Sequence, residues 1–152
     1  MKEKRLKVFL GSDHAGFNVK EKIKKFLDKK QIPYHDLGPI EYIAGDDYPD
    51  YAFKVATRVA RNKNYKGILV CGSGTGMVIA ANKVKGIRAV AAYDKYSAKL
   101  SRQDNDTNVL CLRARKFSFR WIKKIISVWL DTKFSEGDRH KRRIKKIEDY
   151  EK

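Results

Sequence analysis

The chain has 152 residues, enough for one domain with a proper core, and its eight Tyr, seven Phe and two Trp are those of a globular protein and not a disordered one. No apolar run approaches the roughly 18 residues that a membrane-spanning helix needs. Against 18 Asp and Glu stand 24 Lys and 11 Arg, a formal net charge of +17. Many of the lysines (Lys20, Lys22, Lys24, Lys25, Lys29) fall on expected helix faces, and neither interleaved aromatics nor a recognition module accompanies them. The charge therefore reads as mostly solvated surface with an attraction for anionic ligands, and nucleic acid is not an expected partner. The N-terminus runs straight toward a strand without a signal-peptide core, so the expected location is the cytoplasm. Cys71 and Cys111 lack metal-type spacing, and neither a disulfide nor a metal site is expected.

In chain order, Leu6 to Leu10 reads as a first strand, closed by Gly11-Ser12-Asp13-His14-Ala15-Gly16. A helix with Val19, Ile23, Phe26 and Leu27 on one stripe follows, ending before Pro33. Tyr34 to Leu37 is a short second strand, Glu41 to Asp47 a loop, and Asp47-Tyr48-Pro49-Asp50 opens a helix carrying Phe53, Val55, Ala56, Val59 and Ala60. Gly67 to Cys71 is the third strand. The glycine turn Gly72-Ser73-Gly74-Thr75-Gly76 then leads into the apolar helix from Met77 to Ala81. Arg88 to Tyr93 and Asn108 to Leu112 are strands four and five, with a helix from Asp94 to Arg102 between them. A fifth helix places Trp121, Ile122, Ile125, Ile126 and Trp129 on one stripe. The tail from Asp138 is a basic helix with Ile144 and Ile147 as its apolar positions. This alternation predicts a single α/β domain spanning 1–152: one doubly wound, Rossmann-like parallel sheet of about five strands in three layers, with a C-terminal helical extension over 138–152.

Ligands of such sheets bind beyond the carboxyl ends of the strands, where Asp13, His14 and the segment from Cys71 to Gly76 fall together. Residues without Cβ let the turn bend tightly beneath the first N–H groups of a helix, a cradle for an oxyanion beside a thiol. A buried, inert cysteine before a structural turn is the competing reading, as is an Asp13 that merely caps a helix beside a surface histidine. A dinucleotide fingerprint, with Asp94 as ribose ligand, fails because Met77 stands where the third glycine belongs. No Walker-type sequence occurs, and Ser73 lacks the context of a hydrolase nucleophile. On a helix, Arg139 and Arg143 share a face and can grip one phosphate between them. A base, an oxyanion cradle and a phosphate grip are the parts that proton abstraction beside a carbonyl needs, without metal or cofactor.

Four segments carry a family resemblance: Gly11 to Phe17, Asp47 to Ala52, Cys71 to Met77 with Ile79 to Val84, and Arg139-His140 with Arg142-Arg143. The sequence resembles the type B ribose-5-phosphate isomerases, whose family also holds galactose- and allose-phosphate isomerases, over about Val8 to Ile147. The resemblance implies a cofactor-free aldose–ketose isomerase that forms homodimers or tetramers with active sites between subunits. By that likeness Cys71 is the base that moves a proton between C1 and C2 through a cis-enediolate. Gly72, Ser73, Gly74 and Gly76 hold the developing oxyanion, and Asp13 and His14 contact the sugar or help to open its ring. Tyr48 lines the pocket, Asn105 binds sugar hydroxyls, and Arg115, Arg139 and Arg143 hold the phosphate. Some relatives use a glutamate where this chain has Met77, which makes Cys71 the consistent base. One departure stands out: the family's ring-opening histidine is replaced by Asp104. An aspartate, titrating near pH 4, is a poor proton donor at pH 7. This leaves open an isomerase of allose 6-phosphate or galactose 6-phosphate, or a non-catalytic anion-binding relative.

Overall fold

The computed structural model describes residues 5–151. Five parallel strands form one sheet: β1 (Lys7–Ser12), β2 (Tyr34–Asp36), β3 (Tyr65–Cys71), β4 (Ala89–Ala91) and β5 (Val109–Arg113), in the order β2-β1-β3-β5-β4. Six helices accompany them: α1 (Phe17–Lys29), α2 (Tyr48–Val59), α3 (Thr75–Ala81), α4 (Lys95–Asn105), α5 (Phe119–Asp131) and α6 (Asp138–Tyr150). The three inner strands are apolar on both faces, as a parallel sheet covered on both sides requires. Val8, Leu10, Ile68, Val70, Leu110 and Leu112 face α1, α4 and α5, whereas Phe9, Leu69, Cys71, Val109 and Cys111 face α2 and α3. Ile122, Ile125, Ile126 and Trp129 of α5 are fully buried, each side chain stabilising the fold by roughly 1.5–3 kcal/mol through area removed from water. The Trp129 indole N–H donates to Thr107 Oγ1 at 2.9 Å, so the largest core side chain leaves no polar group stranded.

The expected strands and helices are all present, with ends that shift by a few residues. β1 runs on to Ser12, which carries its polar turn farther along the sheet. β4 shrinks to three residues, and Asp94 accepts a hydrogen bond from the Ser97 N–H to cap α4. That capping contact engages the side chain which a dinucleotide reading would have given to a ribose. Trp121 lies outside the buried stripe of α5, 46% exposed, and Phe53 faces outward from α2. Both were expected in the core, but a stripe only about one-third of a helix wide admits four of the five large residues of α5.

Lys20 is the larger correction, because a lysine counted as solvated is fully buried. Its Nζ donates to Asp36 Oδ2 at 2.6 Å, to the Pro39 carbonyl at 2.9 Å and to Glu21 at 3.1 Å. Lys24 reaches the same Asp36 oxygen at 2.9 Å. Burial alone would raise the Asp36 carboxyl, yet the hydrogen bonds from Lys20 and Lys24 hold it below its ordinary value. This ion cluster ties α1 to the end of β2 and to the start of the 40–47 loop.

The strand order places the reversal of winding direction between β1 and β3, where crossovers leave to opposite sides. The carboxyl ends of those two strands carry Ser12-Asp13-His14 and Cys71-Gly72. Helices that return antiparallel to the strands begin at this edge and end at the other.

Candidate active site

A cavity of about 550 Å³ opens at that reversal point. β1 delivers Asp13 and His14 to it, and β3 delivers Cys71, Gly72, Ser73 and Gly76. Tyr48 comes from the start of α2, Tyr93 from the end of β4, and Arg113, Arg115 and Lys116 from the end of β5.

Cys71 is 4% exposed, held by its strand with one side on the cavity. The Gly74 N–H donates to its Sγ at 3.1 Å, which fixes the direction of the sulfur. Gly74 can make this contact because its φ of +83° bends the chain back over Cys71, a conformation that side chains with a Cβ resist. The loop is pinned from outside by Tyr93 Oη, which donates to the Ser73 carbonyl at 3.1 Å, and from within by the Thr75 N–H, which donates to Ser73 Oγ at 3.2 Å. Tyr48 lies flat against Gly76, and the Arg115 guanidinium lies over Gly72. The loop is thereby roofed by one phenol and one permanent cation. Cys111, the second thiol, is fully buried, and desolvation followed by the proximity of Cys71 pushes it well above its usual pKa.

Asp13 and His14 are set by the turn after β1. Asp13 Oδ1 accepts the Gly16 N–H at 3.0 Å, which closes the turn but does not cap α1, whose N-cap is Gly16 itself, while burial raises the Asp13 carboxyl above the ordinary value. His14 meets Asp46 twice through one carboxylate oxygen, by its backbone N–H at 2.7 Å and by Nδ1 at 2.9 Å. The hydrogen bond to Asp46 raises the imidazole pKa and assigns the proton on Nδ1. Asp46 Oδ2 is buried without a hydrogen-bond partner of its own, and burial together with the nearby Asp46 carboxylate raises the Tyr51 phenol above its ordinary pKa.

The remaining expected residues stand elsewhere in the protomer. Asp104 and Asn105 end α4, and a helix of 11 residues starting at the cavity edge carries them about 16 Å toward the opposite edge of the sheet. Asp104 Oδ1 lies 3.5 Å from His140 Nε2 on α6, and the Arg139 Nε–H points at the same nitrogen from 3.4 Å. Arg139 and Arg143 are exposed one turn apart on α6. Thus Asp13, His14, Tyr48, Cys71, Gly72, Ser73, Gly76 and Arg115 share one cavity, Gly74 directs its sulfur, and Asp104, Asn105, Arg139 and Arg143 form a second group.

Over residues 8–147 the sequence matches the Ribose/Galactose Isomerase family. The chain belongs to that family. It is 46% identical over 146 residues to a probable ribose-5-phosphate isomerase B of Mycoplasma genitalium, covering 95% of each chain. It is 43% identical over 141 residues to ribose-5-phosphate isomerase B of Escherichia coli, covering 93% of each. Among solved structures, ribose-5-phosphate isomerase B from Mycoplasma genitalium with bound ribulose-5-phosphate superposes with a TM-score of 0.92 at 44% identity, covering 96% of each chain.

Within this member of the ribose/galactose isomerase family, four cavity or cavity-directing residues escape the sequence reading: Asp46, Tyr93, Arg113 and Lys116. The carboxyl-edge rule that singles out the residues after β1 and β3 applies equally to β4 and β5, and would have found Tyr93, Arg113 and Lys116. Arg113 serves the loop itself, donating to the Arg115 carbonyl at 2.7 Å and the Lys116 carbonyl at 3.1 Å. Asp46 carries no local signal, since its partner is 32 positions away.

Proposed function

We propose that this protein interconverts ribose 5-phosphate and ribulose 5-phosphate by proton transfer at Cys71. The observation that carries this reading is the Cys71 sulfur, directed by Gly74 at the wall of a cavity whose loop is roofed by Arg115 and Tyr48. In the reaction, the Cys71 thiolate takes the proton from C2 of the open-chain aldose. The C–H electron pair forms the C1–C2 double bond, and negative charge moves to O1 of a cis-enediolate. The thiol returns the proton to C1 while the proton of the C2 hydroxyl passes to O1, which leaves a ketone carbonyl at C2 and a hydroxyl at C1. Atoms and electrons balance within the sugar, so no redox partner is needed. Polar N–H groups of the 72–76 loop offset the developing oxyanion, the kind of preorganised stabilisation worth about 3–4 kcal/mol per donor where it has been dissected. His14, oriented by Asp46, faces the sugar as a proton carrier, with Asp13 beside it. Arg115 and Lys116 give the cavity its positive wall for a phosphate.

The second group of residues supports a site completed by another subunit. Asp104, Asn105, Arg139 and Arg143 sit at the far edge of their own sheet, out of reach of their own Cys71. In a homodimer with two-fold symmetry, the corresponding edge of the partner can face the cavity and add a phosphate grip and hydroxyl contacts. A reduced, cytoplasmic setting fits an enzyme that depends on a free thiol. Relatives also include a D-erythrulose-4-phosphate isomerase of Pectobacterium atrosepticum, 38% identical over 146 residues, so four-carbon substrates belong in the comparison.

The test is a substrate panel with purified protein: ribose 5-phosphate, allose 6-phosphate, galactose 6-phosphate and erythrulose 4-phosphate. Ribose 5-phosphate is expected to show the highest kcat/KM. The Cys71→Ala variant is expected to fold normally and lose turnover by about 10³-fold or more, as for removal of an essential base. Wild-type-like turnover in that variant would overturn the role of Cys71. Preference for a four- or six-carbon substrate would move the assignment within the family, and inactivity across the panel would leave a non-catalytic anion-binding protein.

A further inference from the structure

The positive charge that the sequence scatters along the chain is gathered by the fold. Between α1 and α5, on the face of the sheet opposite α2 and α3, runs an open groove of about 1340 Å³. Its α1 wall carries Lys22, Lys25 and Lys29, spaced i, i+3 and i+7, and its α5 wall carries Arg120, Lys123 and Lys124. Asp28 is the single carboxylate lining it, and that group already accepts the Tyr34 hydroxyl at 3.2 Å. None of these six cations is ion-paired among the described residues. Elsewhere on the same helix, Lys20 and Lys24 do have carboxylate partners. Lys30 and Lys95 line the groove as well, also without an ion pair among the described residues, so eight like charges repel one another there, and a bound polyanion relieves that repulsion.

The floor of the groove is aromatic. Phe26 and Phe119 are half-buried there, and the Phe119 ring has an ammonium from each wall, Lys22 and Lys123, both 5.8 Å from its centre. Cations on two walls above recessed rings match the requirements of a flexible strand, with backbone phosphates held at the rims and bases stacked inside. An acidic peptide would use the rims and leave the rings idle. A lipid surface needs apolar side chains that project beyond the basic ones, and here the floor rings lie below them. We propose that the α1/α5 groove binds single-stranded nucleic acid, independently of the Cys71 cavity.

The test uses the full chain and a fluorescein-labelled oligouridylate, with anisotropy read between about 50 and 200 mM salt. Binding is expected, with log K falling against log salt by about 0.7 for each phosphate engaged. The triple substitution Lys22→Gln, Lys25→Gln and Lys123→Gln, at exposed positions on both walls, is expected to weaken binding about tenfold or more and to flatten the salt slope. A control triple on α6, Arg142→Gln, Lys145→Gln and Lys146→Gln, is expected to leave binding unchanged. Emission offers a local readout, because Trp129 is fully buried while Trp121 is exposed beside the groove, with Lys124 over its ring at 4.6 Å. Oligouridylate should therefore quench Trp121 and not a Trp121→Phe variant. Three results would overturn the proposal: no binding at low salt, loss in the α6 control but not the groove variant, or equal binding of polyglutamate or phosphatidylserine vesicles.

Discussion

Lys66 gives the strongest test of the electrostatics, because its cost can be followed with pH. It lies near the start of β3, opposite Val8, and among the described residues its Nζ donates to the Lys63 carbonyl alone, at 3.4 Å. Burial, reinforced by the nearby Arg102 guanidinium, lowers its pKa from 10.5 to about 8, with Asp106 offsetting part of the effect. A shift of that size corresponds to about 3 kcal/mol at about 1.4 kcal/mol per pH unit, reduced to about 2 kcal/mol because the amine keeps some contact with water. The folded pKa lies below the unfolded one, so between about pH 8 and 10.5 the unfolded chain binds more protons. Stability therefore rises with pH across that window, and the full penalty acts below it. Lys66→Met keeps the aliphatic stem and removes the charge. At pH 7 it should raise stability by about 2 kcal/mol, or about 4–8 °C in Tm for a chain of this size. Thermal unfolding followed by circular dichroism at pH 7 and pH 10 tests this, and the gain should shrink at the higher pH. An equal gain at both values, or a loss at pH 7, would refute the reasoning.

Gly76→Ala would place a Cβ 2.7 Å from Tyr48 Cζ, so the ring must leave the 72–76 loop. Steady-state kinetics should show kcat/KM lower by up to about a hundredfold, the cost of a misplacement of about 1 Å, while the chain still folds. Asp46→Asn should move the His14 titration, followed by NMR, down toward the ordinary 6.5. The stability that the raised His14 contributes is present below pH 6.5 and lost as pH rises through its folded pKa, so the variant should lose stability chiefly at acid pH. Asp104→His should speed turnover of the cyclic sugar and leave that of an open-chain substrate unchanged. No effect would mean that His14 or spontaneous opening already suffices.

The sheet was legible because its pattern is local: apolar runs in the three inner strands, glycine turns after them, and apolar stripes on the helices between. The cavity was legible for the same reason, since Asp13, His14 and the 71–76 loop each follow a strand and the edge rule then brings them together. What the sequence hides is partnership over distance. Lys20 looks like its neighbours Lys22 and Lys24 until Asp36 and the Pro39 carbonyl come to meet it. Asp46 gains meaning only from His14. Arg139 carries the family pattern and Asp104 departs from it, and neither reveals that α6 and α4 hold the two side by side at the far edge of the sheet. The groove cations are likewise ordinary helix-face lysines until α1 and α5 lie side by side.

The two cysteines have a practical consequence. Leu69 and Cys111 are register partners on adjacent strands, which sets the two thiols on one face of the sheet but only Cys71 on a cavity. Cys111, sealed in the core with its proton held tightly, is invisible to an aqueous alkylating reagent while the fold persists. The native protein therefore offers one addressable sulfur per chain. A slow iodoacetamide titration would count competent sites directly, protection by sugar phosphate would report occupancy, and appearance of a second equivalent would mark unfolding.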